Sequence, residues 1–188
     1  MKNALIPALA VLLAGPALAT PVTYNLEPNH TFTYFSYNHL GLSTQQSRFD
    51  KVAGSVILDA EARAGSVDVS IDMKSVNTGS PAFNDHIQKP GLFDTQQFPT
   101  ATFKSTAVKF DGDKPARVDG ILTLNGVSKP VTLIVSGFTR KPHPMMKKDA
   151  IGANASAVIK RSEFNAGKHV PYVGDEVTLS IAVEAIAQ

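Results

Sequence analysis

"RVDGILTLNGVSKPVTLIVSGF" (residues 117–138) reads as two extended runs joined by Asn125-Gly126. Asn-Gly suits a two-residue type I′ turn, because both central residues must take a positive φ. The runs on either side are rich in Val, Ile, Leu and Thr, residues that fit a pleated, half-buried surface. A tight hairpin makes its strands antiparallel neighbours. How far that arrangement extends along the chain decides the fold.

It extends nearly everywhere. In "SVDVSIDM" (66–73), Val67, Val69, Ile71 and Met73 alternate with Ser66, Asp68, Ser70 and Asp72. This is the period of a strand with one face in a core and one in water. "EVTLSIAVEA" (176–185) repeats it with Val177, Leu179, Ile181 and Val183. Further strands are predicted at 22–27, 31–38, 52–59, 100–110 and 151–161. One helix is expected: Ser80 as its cap, Pro81 at the first helical position, and Phe83 and Ile87 four apart on one face. Pro90-Gly91 should end it. About eight antiparallel strands with one short helix argue for an all-β fold, a β-barrel or a sandwich, and closure into a barrel also removes exposed sheet edges.

The first 19 of the 188 residues stand apart: one lysine, an apolar stretch broken by Pro7 and Pro16, then Ala-Leu-Ala before Thr20. This is the layout of a cleaved secretory signal peptide, with residues 20–188 as a single domain. The chain has no cysteine, so thiol chemistry is excluded. The formal net charge of +2 gives no case for a nucleic-acid surface. One basic patch, "RKPHPMMKK" (140–148), reads as a solvated loop, with contact to anionic lipid headgroups as the alternative.

Signs of catalysis are sparse. His30, His39, His86, His143 and His169 lack the spacing of a helical zinc site, and no Gly-x-Ser-x-Gly or Ser-x-x-Lys motif is present. Asp111 and Asp113 sit together in "FDGDKP", a turn composition. No catalytic residue, metal ligand or cofactor is assigned.

Two segments speak of the interior. "IGANASAVIKR" (151–161) puts Ala153, Ala155, Ala157 and Ile159 on one face. An inward row of alanines fills little volume, so either a neighbour packs closely or a ligand tunnel remains. "GLFDTQQFPTATF" (91–103) holds Phe93, Phe98 and Phe103 five apart, a spacing that fits neither helix nor strand. Such rings either line an apolar channel or plug the end of the barrel. Arg161, at the end of the alanine row, could clasp a phosphate or pair with Asp175 or Glu176.

These segments, with "YNLEPNHTFTYFSYNHLG" (24–41) and "IKRSEFNAGKHVPYVGDEVTLSIAVEA" (159–185), resemble the YceI-like family of bacterial periplasmic polyisoprenoid-binding proteins. The resemblance covers nearly all of 23–185. It departs at Asn165, where the family usually has glycine after the phenylalanine. It implies a lipocalin-like barrel in the periplasm whose interior holds a long isoprenoid lipid, a polyprenyl phosphate or a quinone-like molecule, for transport or storage. On this basis Phe32, Tyr34, Phe83, Ile87, Phe93, Phe98, Ala155, Ala157 and Phe164 are expected to touch lipid, and Arg161 and His86 to meet a headgroup. The lipid is the expected partner, with transient membrane-surface contact and a homodimer as further expectations. The rival readings are a lipid-modifying enzyme and an interaction partner of a membrane redox protein.

Overall fold

The computed structural model describes residues 20–188, so the predicted signal peptide lies outside the described residues. In chain order the elements are β1 (Val22–Leu26), β2 (Phe32–His39), β3 (Ser43–Phe49), β4 (Val52–Asp59), β5 (Ala64–Asp72), β6 (Val76–Asn77) and α1 (Pro81–Ile87). There follow β7 (Thr100–Asp111), β8 (Lys114–Leu124), β9 (Val127–Pro142), β10 (Asp149–Lys160) and β11 (Val173–Ala187). All pairings are antiparallel, and β1 closes the sheet by pairing with both β4 and β11.

Three staves of the barrel are broken in two. β1 and β2 lie end to end along β11, with Leu26 opposite Ala185 and Phe32 opposite Ala182. β3 and β4 follow one another beside them, and β5 and β6 do the same one place further round. With each broken stave counted once, the structure is a closed eight-stranded meander, the barrel and not the sandwich. At the breaks the backbone keeps its hydrogen bonds: Asp50 N–H reaches Ser75 O at 3.1 Å and Asp72 N–H reaches Lys51 O at 3.0 Å. The buried Thr31 hydroxyl donates to Glu184 O at 3.0 Å, tying the β1–β2 bend to β11.

The Asn125-Gly126 turn has φ of 48° and 73°, both positive, as a type I′ hairpin requires. β3, "STQQSRF", escapes the sequence reading because its first four residues are polar and exposed, so no apolar alternation marks it. The helix starts where predicted, but the Ser80 side chain makes no cap hydrogen bond. Asn84 instead folds back, its Oδ1 accepting from Thr78 N–H at 2.8 Å and from the Thr78 hydroxyl at 2.7 Å. Asn165 stands at φ 56°, a left-handed conformation that glycine takes freely and asparagine tolerates, so the departure from the family's glycine keeps the turn.

The interior holds two packed clusters. The larger, around Phe35, Phe49, Met73, Val118, Leu122 and Phe164, fills the half nearer α1. The smaller, Tyr24, Leu58, Ile151 and Ala185, floors the other end. There the Tyr24 hydroxyl donates to Asp149 Oδ2 at 2.7 Å, and Arg140 Nε donates to the same oxygen at 2.7 Å, bracing β1, β9 and β10 together.

Candidate ligand-binding cavity

One end of the barrel carries the Leu40–Leu42 turn, α1, the 88–99 crossing and the 161–172 loop. Between them opens a cavity of about 550 Å³, a size that suits a small-molecule ligand. Its walls are apolar: Phe35, Phe49, Ile71, Met73, Phe93 and Leu179 among others. The charged and imidazole side chains on the lining, His39, His86, Arg161, Lys168 and His169, come from the segments around the mouth. The shape suits an elongated apolar body with one polar end.

The 88–99 crossing explains the placement of Phe93. Its backbone folds onto the end of α1, with Phe93 N–H on Ile87 O at 3.0 Å and Thr95 N–H on Gln88 O at 3.1 Å. Asp94 takes a positive φ of 43° to make the bend. Phe93 is thereby set edge-on to Phe35, with ring centroids 5.5 Å apart, and against Phe49 at 5.4 Å. Phe83 and Ile87 of α1 also line the cavity.

The other rings of that stretch do different work. Phe98 lies on the Asn125-Gly126 turn, outside the cavity lining. Phe103, on β7, crosses the face of Gly120 on β8, where a Cβ would stand 2.4 Å from its Cζ. The five-residue spacing therefore marks three separate packing sites along one winding segment.

Phe32 and Tyr34 are placed on the wrong face by the sequence reading. Their neighbours Thr33, Phe35 and Tyr37 line the cavity, while Phe32 lies under the Arg48 guanidinium, 4.5 Å from its ring centroid, on the outside. "FTYFSYNH" is aromatic on both faces, so alternation alone leaves the register open, and a slip of one residue exchanges the faces. Phe164 is 2% exposed and belongs to the packed core, not to the cavity wall. Ala157 is likewise buried in the wall at 8% exposure, whereas Ala155 faces a smaller cavity deeper in the barrel.

Arg161 is at the mouth, but neither predicted role fits it. Its Nε donates to Gly174 O at 2.8 Å, one terminal nitrogen to Ala166 O and Lys168 O, and the other to Val173 O at 2.8 Å. Four of its five N–H donors are spent on backbone carbonyls, which leaves no fork for a phosphate. Asp175 is taken by the Ser162 backbone N–H and hydroxyl at 2.8 and 2.7 Å. Burial pushes the guanidinium below its ordinary value, with Asp175 and Tyr37 opposing that shift. The arginine is a brace for the mouth loop. His86 remains on the lining, stacked between Phe83 and His169 at centroid distances of 5.9 and 6.4 Å. His169, Phe49 and Leu92 went unpredicted; Phe49 was hidden by the polar start of β3.

The basic loop 140–148 joins β9 to β10 at the floor end, away from the mouth. Among the described residues no group of three His, Cys, Asp or Glu side chains is arranged to hold a metal ion.

A closed antiparallel barrel with a largely apolar interior and a polar-fringed mouth is an architecture of the lipocalin kind. The chain belongs to the YceI-like family, whose domain model matches residues 24–185. It is 36% identical over 176 residues to Protein YceI of Escherichia coli O157:H7, spanning 93% of this chain and 91% of that one. The crystal structure of Burkholderia cenocepacia BcnA superposes with a TM-score of 0.71 at 28% identity, over 82% of this chain and 95% of that one. A polyisoprenoid binding domain from Saccharophagus degradans matches with a TM-score of 0.67 at 19% identity, over 89% of this chain and 99% of its own. At that identity the likeness speaks to the fold.

Proposed function

We propose that this protein is a periplasmic carrier or store for a long-chain isoprenoid lipid, exported through cleavage after Ala19. The observation that carries the reading is the cavity of about 550 Å³ with largely apolar walls and with its charged and imidazole side chains gathered at the mouth. Its family, and the polyisoprenoid binding attributed to a structural neighbour, support the choice of lipid. Family membership speaks for a binding protein rather than an enzyme.

Burying a five-carbon isoprene unit gains about 3–4 kcal/mol over water. A bilayer offers nearly the same, so a carrier need only match the membrane and lower the barrier to crossing water. Exchange then takes place at the mouth, where Leu40, Leu42 and Tyr172 stand 51%, 83% and 77% exposed. Leu40 and Tyr172 also line the cavity, and Leu40 N–H is tied to Tyr172 O at 3.1 Å, so the rim runs continuously into the interior. This rim, continuous with the cavity, is the surface through which lipid would pass to and from a membrane.

Solvent extraction of protein purified from periplasm, followed by mass spectrometry and N-terminal sequencing, tests the reading. An intact isoprenoid on a chain beginning at Thr20 is expected. A shortened or hydrolysed lipid would point to an enzyme, and an empty cavity to an interaction protein.

A further inference from the structure

Beneath the main cavity lies a second, of about 150 Å³. The two share four wall residues, Thr33, Ile71, Leu122 and Leu179, which form a waist between them. Below the waist the walls are mostly Val, Leu, Ile, Phe and Ala side chains, and among the described residues the side-chain polar groups on the lining are the hydroxyls of Thr33 and Ser66. A buried water needs two to four polar partners, so walls of this composition favour hydrocarbon over water. The Tyr24 cluster and its Asp149–Arg140 brace form the floor below this space, with Leu58 and Ile151 of that cluster on its lining.

Ala153 and Ala155 of β10 create the room. The β9–β10 pairing shifts register between Asn154 and Ala155, setting Ala155 opposite Val135. Ala155 lines this lower space, whereas Ala157, 8% exposed, lines neither cavity.

Resting on the proposed lipid-binding function, we infer that this lower chamber receives the far end of the ligand's hydrocarbon chain, and that Ala155 sets the longest chain the protein can enclose. The main cavity holds the headward part, the chain passes the waist, and its tip stops on the floor.

The test is a binding ladder of farnesol, geranylgeraniol, solanesol and straight-chain alcohols, read by displacement of a fluorescent polyene fatty acid. In the unaltered protein, affinity should rise about fourfold for each methylene that leaves water, until the tip reaches the floor. Ala155→Leu should bring that plateau forward, weakening the longer alcohols about tenfold or more while sparing the shortest. The ligand-free melting temperature should not fall, because the leucine fills a void. In the unaltered protein, a long alcohol with a photoreactive diazirine at its last carbon should label Val56, Val69 or Ala155.

Parallel affinity ladders, a clear loss of ligand-free stability, or terminal labelling confined to Phe35 and Phe93 would each overturn the assignment. Failure of every alcohol to bind the unaltered protein would instead defeat the lipid-binding reading itself, and this inference with it.

Discussion

The ring of Phe98 rests on Gly126: a Cβ at that glycine would come within 2.7 Å of Phe98 Cε1. The adjoining Asn125 is 2% exposed, and its Nδ2 donates to Leu92 O at 2.6 Å. Together they pin the 88–99 crossing to the β8–β9 turn. Gly126→Ala should lower stability by about 1–3 kcal/mol, since the methyl group meets both a positive φ and the ring. Phe98→Leu should lower the melting temperature of lipid-free protein and leave lipid affinity unchanged. Chemical unfolding beside a lipid titration checks both.

Phe93 should behave in the opposite sense. Its ring faces the cavity, so Phe93→Leu is expected to weaken lipid binding about tenfold. The accompanying loss of lipid-free stability should be smaller than the loss in binding energy. The same pair of measurements applies.

Arg161→Lys should cost about 2–4 kcal/mol, because an ammonium cannot reach four carbonyls spread from Ala166 to Gly174. Amide hydrogen exchange should quicken through the 161–174 segment before it quickens in the strands. An arginine serving the headgroup alone would leave that exchange untouched.

The floor brace carries a pH dependence of known sign. Burial first, and the hydrogen bond to Asp149 second, push the Tyr24 hydroxyl from 10.0 up to about 12. Folding favours the neutral phenol, so this contribution is complete below about pH 10 and is lost as pH rises toward 12. For Asp149, burial acts to raise the carboxyl, but hydrogen bonds from Tyr24 and Arg140 outweigh it and hold the group below the ordinary carboxylate range. Its contribution is present above about pH 4 and is lost as pH falls through the lowered value. Tyr24→Phe should flatten the alkaline arm of a stability-versus-pH curve, leaving the share owed to Tyr37, which burial also raises.

Leu42, at the tip of the β2–β3 turn, touches neither cavity nor core. Leu42→Asp should slow lipid transfer between vesicles while leaving affinity for free lipid unchanged. Stopped-flow transfer beside equilibrium binding separates the two effects. Equal transfer rates would mean that cargo leaves by another route.

The barrel was legible in the chain because alternation and the Asn-Gly turn are local signals, and each names its own neighbours. The cavity wall was less so. Phe83, Ile87 and Phe93 could be placed because helix spacing and proline-bounded irregular backbone restrict where they point. Phe32 and Tyr34 could not, since which face of β2 turns inward depends on pairing with β11, some 140 residues away. Arg161 misled for a related reason: its partners are carbonyls, which every residue has and no motif reveals.

The first and last strands of the described residues meet at the floor. Tyr24 pairs with Ala187, and Gln188 N–H reaches Thr23 O at 3.0 Å. The order in which the staves are joined is thus incidental to the architecture: a short linker across the two ends would permit new termini at an exposed bend such as 60–63. A tether or label fixed beside Thr23 or Ala187 would leave the opposite rim free, so the molecule can be displayed on a support with its cavity mouth facing outward.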